Sequence, residues 1–140
     1  MAQLRQGSAS HRERAMPKNG PAAVVLFLVF LALPAVRSAQ ERIKPTDAMK
    51  HIGKSATVCG LVASAAYAVS NYGTPTYLNL DKPFPNQPFT VIIWGDKRNK
   101  FPKPPETFYN GKRICVTGTI AAYNGQPQMT ITGPSQITLE

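Results

Sequence analysis

From residue 54 onward the apolar positions come in short runs broken by turn residues. Ala56 to Val69 is a long run of small and β-branched residues and predicts a first strand. Thr76-Tyr77-Leu78-Asn79-Leu80-Asp81 alternates apolar and polar side chains and predicts a second strand. Phe89 to Trp94 is continuously apolar until Gly95-Asp96 ends it, and predicts a third. A fourth is expected from Arg113 to Tyr123. Asn124-Gly125 is a hairpin turn signal, and a fifth strand follows over Gln128 to Thr132. The tail from Pro134 to Glu140 adds extended structure. Pro45 to Gly53 predicts a short helix, with Thr46 or Asp47 as its cap and Gly53 as its end. Asn71–Pro75 and the proline-rich Lys82–Pro88 are loops. The polar and basic stretch from Lys97 to Gly111 holds one helical turn near Pro105–Tyr109.

Five strands, a helical element between the third and fourth, and a closing hairpin match one all-β plan, the five-stranded Greek-key barrel of the OB fold. In that topology the first and fourth strands are neighbours. These two strands look alike. Lys54-Ser55-Ala56-Thr57-Val58-Cys59-Gly60 and Lys112-Arg113-Ile114-Cys115-Val116-Thr117-Gly118 each carry one of the two cysteines of the chain. A glycine inside a strand predicts a bulge or a sharp bend. Counting by twos, Val58, Gly60 and Val62 share one face, as do Ile114, Val116 and Gly118. Both thiols then point to the same outer side, close enough on antiparallel neighbours to form a disulfide. The alternative is a pair of small buried residues with no bond.

The N-terminal part has a different pattern. Ala22 to Val36 is an unbroken apolar run after Arg5, Arg12, Arg14 and Lys18. A basic region, a short apolar segment and small residues at Val36 and Ser38 predict a signal peptide over residues 1–38, with an OB-fold domain over 39–140. The alternative is an uncleaved anchor helix, for which the run is short and Pro34 interrupts its end. Met16 offers a second possible start that leaves a shorter basic region. Cleavage removes five of the sixteen Lys and Arg and one of the seven acids, so the mature charge is 11 − 6 = +5 against +9 for the whole chain. Such a domain is only moderately basic. That permits nucleic acid, an acidic polysaccharide or a membrane surface as partner and demands none. Periplasmic or secreted localisation follows from export, and a disulfide suits either compartment.

The domain also resembles the small OB-fold modules of bacterial exported proteins, which occur alone or beside secreted nuclease domains. The resemblance runs from about Asp47 to Ile137. It rests on Thr57-Val58-Cys59-Gly60, Pro75-Thr76-Tyr77-Leu78-Asn79-Leu80 and Pro85-Asn86-Gln87. It continues through Phe89-Thr90-Val91-Ile92-Ile93-Trp94-Gly95, Ile114-Cys115-Val116-Thr117-Gly118 and Pro134-Ser135-Gln136-Ile137. It implies nucleic-acid binding and transfers no catalytic residue, because nuclease chemistry in such proteins belongs to a separate domain.

The chemistry-bearing residues point the same way. His51 is the one histidine after the signal segment and sits on the predicted helix, away from any nucleophile. Asp81, Asp96 and Glu106 lack further ligands for a hydrolytic metal site, so no metal, cofactor or catalytic residue is expected. The cysteines form no CxxC pair. A binding site is better supplied. OB folds take ligands across the second and third strands, between the loops joining strands 1–2 and 4–5. Single-stranded nucleic acid needs aromatic faces for bases and cations for phosphates. Tyr72, Tyr77, Trp94 and Tyr123 supply the former, Asn79 a polar contact, and Lys97, Arg98 and Lys100 the latter. Trp94 and Tyr77 serve equally well as core residues, and the basic cluster as a solvated loop. The expected partner is single-stranded DNA or RNA. The alternatives are a secreted nuclease that the module accompanies, or an envelope protein or small ligand. Membrane contact is expected only through an uncleaved signal segment.

Overall fold

A computed structural model describes residues 40–140; the predicted signal segment lies outside the described residues. The strands are β1 (Arg42–Ile43), β2 (Ser55–Tyr67), β3 (Thr76–Leu80), β4 (Phe89–Ile93), β5 (Arg113–Thr119), β6 (Ala121–Tyr123), β7 (Gln126–Ile131) and β8 (Ile137–Leu139). Short helical turns are α1 (Gly95–Arg98), α2 (Pro105–Phe108) and two 3-10 segments at Pro45–His51 and Pro134–Gln136. The protein is mostly β and OB-like, with eight strands in one mixed sheet rather than five in number. Their order is β6-β7-β4-β3-β2-β5-β8, with β1 beside β2.

Two differences from expectation explain the count. The predicted fourth strand is broken at the buried Ile120, so its first part, β5, pairs with β2 and its second, β6, pairs with β7. One residue thus separates β6, at one end of the path, from β5, which lies next to the other end. The chain termini add β1, parallel to β2, and β8, antiparallel to β5. Strand β4 pairs with β7 in parallel, and the other adjacent pairs on the path are antiparallel. The hairpin at Asn124-Gly125 forms as its sequence predicts. Both residues have positive φ, 48° and 73°, which the tight two-residue turn requires and which asparagine and glycine tolerate.

The core follows the alternation. Val58 and Val62 from β2, Leu78 and Leu80 from β3, and Phe89, Val91 and Ile93 from β4 are buried together. Ile114 and Val116 from β5 join them with Met129 and Ile131 from β7. Phe101 and Tyr109 close the core beside α2, where burial raises the Tyr109 hydroxyl above its ordinary pKa. Trp94 is not a core residue.

The β2–β5 register runs unbroken through both strand glycines, so neither marks a bulge there. They make room. A Cβ on Gly60 would lie 2.7 Å from Asp81 Oδ1 and 2.8 Å from Pro45, and one on Gly118 would lie 3.0 Å from Met129 Sδ. The register shift falls instead at Ala63, between the pairs Val62–Leu80 and Ser64–Asn79. The Pro45–His51 segment is a 3-10 helix whose start has no side-chain cap, against the expectation for Thr46 or Asp47. Gly53 follows it at φ 81°.

Cys59 and Cys115 are direct partners across β2 and β5 and form a disulfide, with Cα atoms 4.0 Å apart. Among the described residues no helix is long and apolar enough to cross a membrane.

Candidate ligand groove

The bulge at Ala63 builds the site. Before it, the even-numbered residues of β2 face the core. After it, Ala65 pairs with the buried Leu78, so Ser64 and Ala66 turn to the outer face. There Ser64 stands opposite Asn79, which pairs with Thr90, which pairs with Gln128. The next row is Ala66, Tyr77, Ile92 and Thr130. The small Ala66 leaves the Tyr77 ring partly open. Tyr123 pairs with Gln126 on the neighbouring hairpin.

The first row, with Ala66 and Tyr77 of the second, floors a groove of about 640 Å³. Its walls are Ala68 and Asn71 from the β2–β3 connection, Phe84 and Gln87 from the β3–β4 loop, and Tyr123 and Asn124 from the β6–β7 hairpin. It contains three aromatic rings and six side-chain amides, and no charged residue lines it. Tyr123 is 65% exposed and Phe84 72%.

A hydrogen-bonded chain runs along the floor. Gln87 Nε2 donates to Thr90 Oγ1 at 3.3 Å, and Thr90 Oγ1 donates to Asn79 Oδ1 at 3.1 Å. Asn79 Nδ2 donates to Ser64 Oγ at 3.0 Å, which also accepts from the Phe84 backbone N–H at 3.1 Å. Asn79 is only 4% exposed, so it acts as the fixed centre of this chain more than as a free contact. At one end Gln87 Oε1 is buried without a partner. At the other, two donors already aim at the Ser64 oxygen, which leaves its own proton to give.

The other sequence-predicted residues lie elsewhere. Tyr72, fully exposed, and Trp94, 38% exposed, line a separate hollow of about 400 Å³ with Gly73, Thr74 and Asp96. The Trp94 ring lies so close over Gly73 that a Cβ there would meet it at 2.9 Å. Asn71 on the groove wall is the residue before Tyr72, so the two hollows share one loop.

The three cations are absent from both linings. Lys97 Nζ pairs with Asp96 at 2.9 Å, and that hydrogen bond holds the Asp96 carboxyl below its ordinary pKa. Arg98 is structural. Its guanidinium forks onto Glu106, with Nη2 2.7 Å from Oε1. It also donates to Thr76 Oγ1 at 2.8 Å and stacks 3.9 Å over the Tyr67 ring. The same fork lowers the Glu106 pKa and raises that of Arg98, against the desolvation of both. Lys100 is exposed and has no ion pair among the described residues.

Sequence reasoning therefore found Tyr77, Asn79 and Tyr123 of the groove and missed Ser64, Phe84, Gln87, Gln126 and Gln128. Asn79, Thr90 and Gln128 sit at alternating positions on their strands, a pattern that could have drawn attention to the amides. Ser64 could not be found that way, because the bulge changes its face.

No protein-family model matches the chain. No curated protein matches it in sequence. Solved structures do. A protein described as an aspartyl-tRNA synthetase from Leishmania major Friedlin superposes with a TM-score of 0.48 at 9% identity, over 77% of this chain and 22% of its own. The aspartyl-tRNA synthetase of Entamoeba histolytica gives 0.47 at 14% identity, over 78% and 23%. The chain thus spans less than a quarter of the length of either protein.

Proposed function

We propose that this protein is an exported, non-catalytic OB-fold module that holds single-stranded nucleic acid in the groove over β3 and β4. The observation that carries the reading is the groove itself. It sets the rings of Tyr77, Phe84 and Tyr123 beside a fixed row of amides, across the strands and between the loops where OB folds take ligands. Aromatic faces stack on any base, and amides hydrogen-bond to base edges. The passage from β5 to β6 through Ile120 alone supports closure of the sheet into a five-stranded barrel, with β1 and β8 as additions. The Cys59–Cys115 bond supports an oxidising compartment, as export across the signal segment would provide. Mass spectrometry of the exported protein should find an N-terminus at or near Ala39.

The test of function is titration with labelled single-stranded DNA and RNA at low salt. Wild-type protein is expected to bind, and Tyr77→Ala to weaken binding by about 1–3 kcal/mol. Absence of affinity for both oligonucleotides at low salt rejects the reading and leaves an envelope module that binds a protein or small ligand.

A further inference from the structure

We infer that the groove reads unpaired bases and leaves the phosphates in solvent, so that binding depends little on salt. The inference rests on the nucleic-acid reading above and adds what part of the strand is recognised. Three features of the groove lead to it.

The first is charge. No lysine or arginine lines the groove, although the domain carries a surplus of cations. Two of the three cations beside Trp94 are already held, Lys97 by Asp96 and Arg98 by Glu106 and Tyr67. A phosphate-tracking channel needs free cations along its floor, and this floor has none.

The second is the orphan acceptor. Gln87 Oε1 is buried with no donor, and leaving such an atom unpaired is costly. A phosphate group at neutral pH offers only acceptors and could not satisfy it. The exocyclic amino and ring N–H groups of bases are donors. Gln87 lines the groove, so a turn of its amide would present the acceptor to a ligand.

The third is the spare donor at Ser64. The floor thus offers a hydrogen-bond donor at one end of the chain and an acceptor at the other, with Thr90 and Asn79 locked between them. Base edges carry donors and acceptors side by side. The half-buried ring of Tyr77 and the exposed ring of Tyr123 supply the stacking faces above that row.

The experiment is a salt series on the intact domain with a labelled single-stranded hexanucleotide, plus two controls. One is the same backbone with abasic residues, the other inorganic polyphosphate as competitor. If bases carry recognition, affinity should fall less than about fivefold between 50 and 500 mM salt, equivalent to one phosphate contact or fewer. The abasic strand should not bind and polyphosphate should not compete. A fall of about a hundredfold, the value for three phosphate contacts, overturns the inference while nucleic-acid binding stands. Displacement of the probe by polyphosphate overturns it equally. Absence of any oligonucleotide binding at 50 mM salt rejects the nucleic-acid reading itself, and binding of a neutral oligosaccharide in its place rejects both.

Discussion

Two regions of the outer surface divide the polar residues of this domain between them. On the groove face the polar groups are neutral, they hydrogen-bond to one another in a row, and the aromatic rings stand open. At the end of the sheet near α1 and α2 the polar groups are charged and, Lys100 apart, spent on the protein. Arg98 ties α1 to α2 through Glu106 and to β3 through Thr76, and it covers Tyr67. Lys112 lies 3.7 Å over the Phe108 ring and Lys103 5.1 Å, so these cations also cap apolar surface. A basic cluster in the sequence is therefore not a count of available charges. Each cation has to be assigned to its carboxylate, ring or solvent before it can be given to a ligand.

The largest expected effect is common to both regions and sets the scale for the rest. Reduction of Cys59–Cys115 opens a loop spanning a sequence separation of 56. This should cost up to about 4 kcal/mol through the unfolded chain, read as a fall in Tm under reductant. A Tm unmoved by reductant would show that the bond does not constrain the unfolded state.

Next in size is the charged end. Arg98→Met should lose about 1.5–3 kcal/mol of stability in urea titration, because it removes a charge-assisted fork shielded from water on both sides. Oligonucleotide affinity of the folded variant should hold. Loss of affinity with unchanged stability would reverse the comparison and make Arg98 a ligand contact. The same pair gives a pH dependence. The folded Glu106 pKa lies below its unfolded value, so its contribution is present above the unfolded pKa of about 4.3 and is lost as pH falls through the folded value. Wild-type protein should therefore lose stability below about pH 4, and Glu106→Gln should flatten that fall.

The groove face should behave in the opposite way. Tyr123→Ala removes a ring that is 65% exposed, so stability should change by less than about 0.5 kcal/mol while single-strand affinity drops by about 1–3 kcal/mol. Equal losses in both measurements would place the ring in the fold and not in the site. The smallest effect belongs to Lys97→Ala combined with Lys100→Ala. One of these is an exposed ion pair and the other an exposed lysine, and such groups add little to stability. Stability should scarcely move, and binding should weaken less than twofold. A tenfold loss of binding would return these lysines to the ligand edge.

The first three strands expected were legible in the sequence, because alternation at Thr76–Asp81 and the apolar runs at Ala56 and Phe89 each admit one face or none to water. So was the Asn124-Gly125 turn, whose positive φ angles few other pairs accept, while the disulfide was one of two readings of the matched cysteines until their pairing across β2 and β5 was seen. Tyr77 and Asn79 were legible as the polar face of one strand for the same periodic reason, and Tyr123 by its place at the edge of the Asn124-Gly125 loop. Only the tertiary structure decided the rest. The bulge falls at Ala63 and not at Gly60, where Asp81 and Pro45 occupy the space a side chain would need. The shift turns Ser64 outward, and a slip of one residue is enough to change every face that follows it. Arg98 is withdrawn from any ligand by Glu106 and Tyr67, partners that approach it only when the chain folds. Periodicity is local and can be read along the chain. Pairing between charges, and the side of a sheet on which a residue stands after a bulge, are set by what lies across from it.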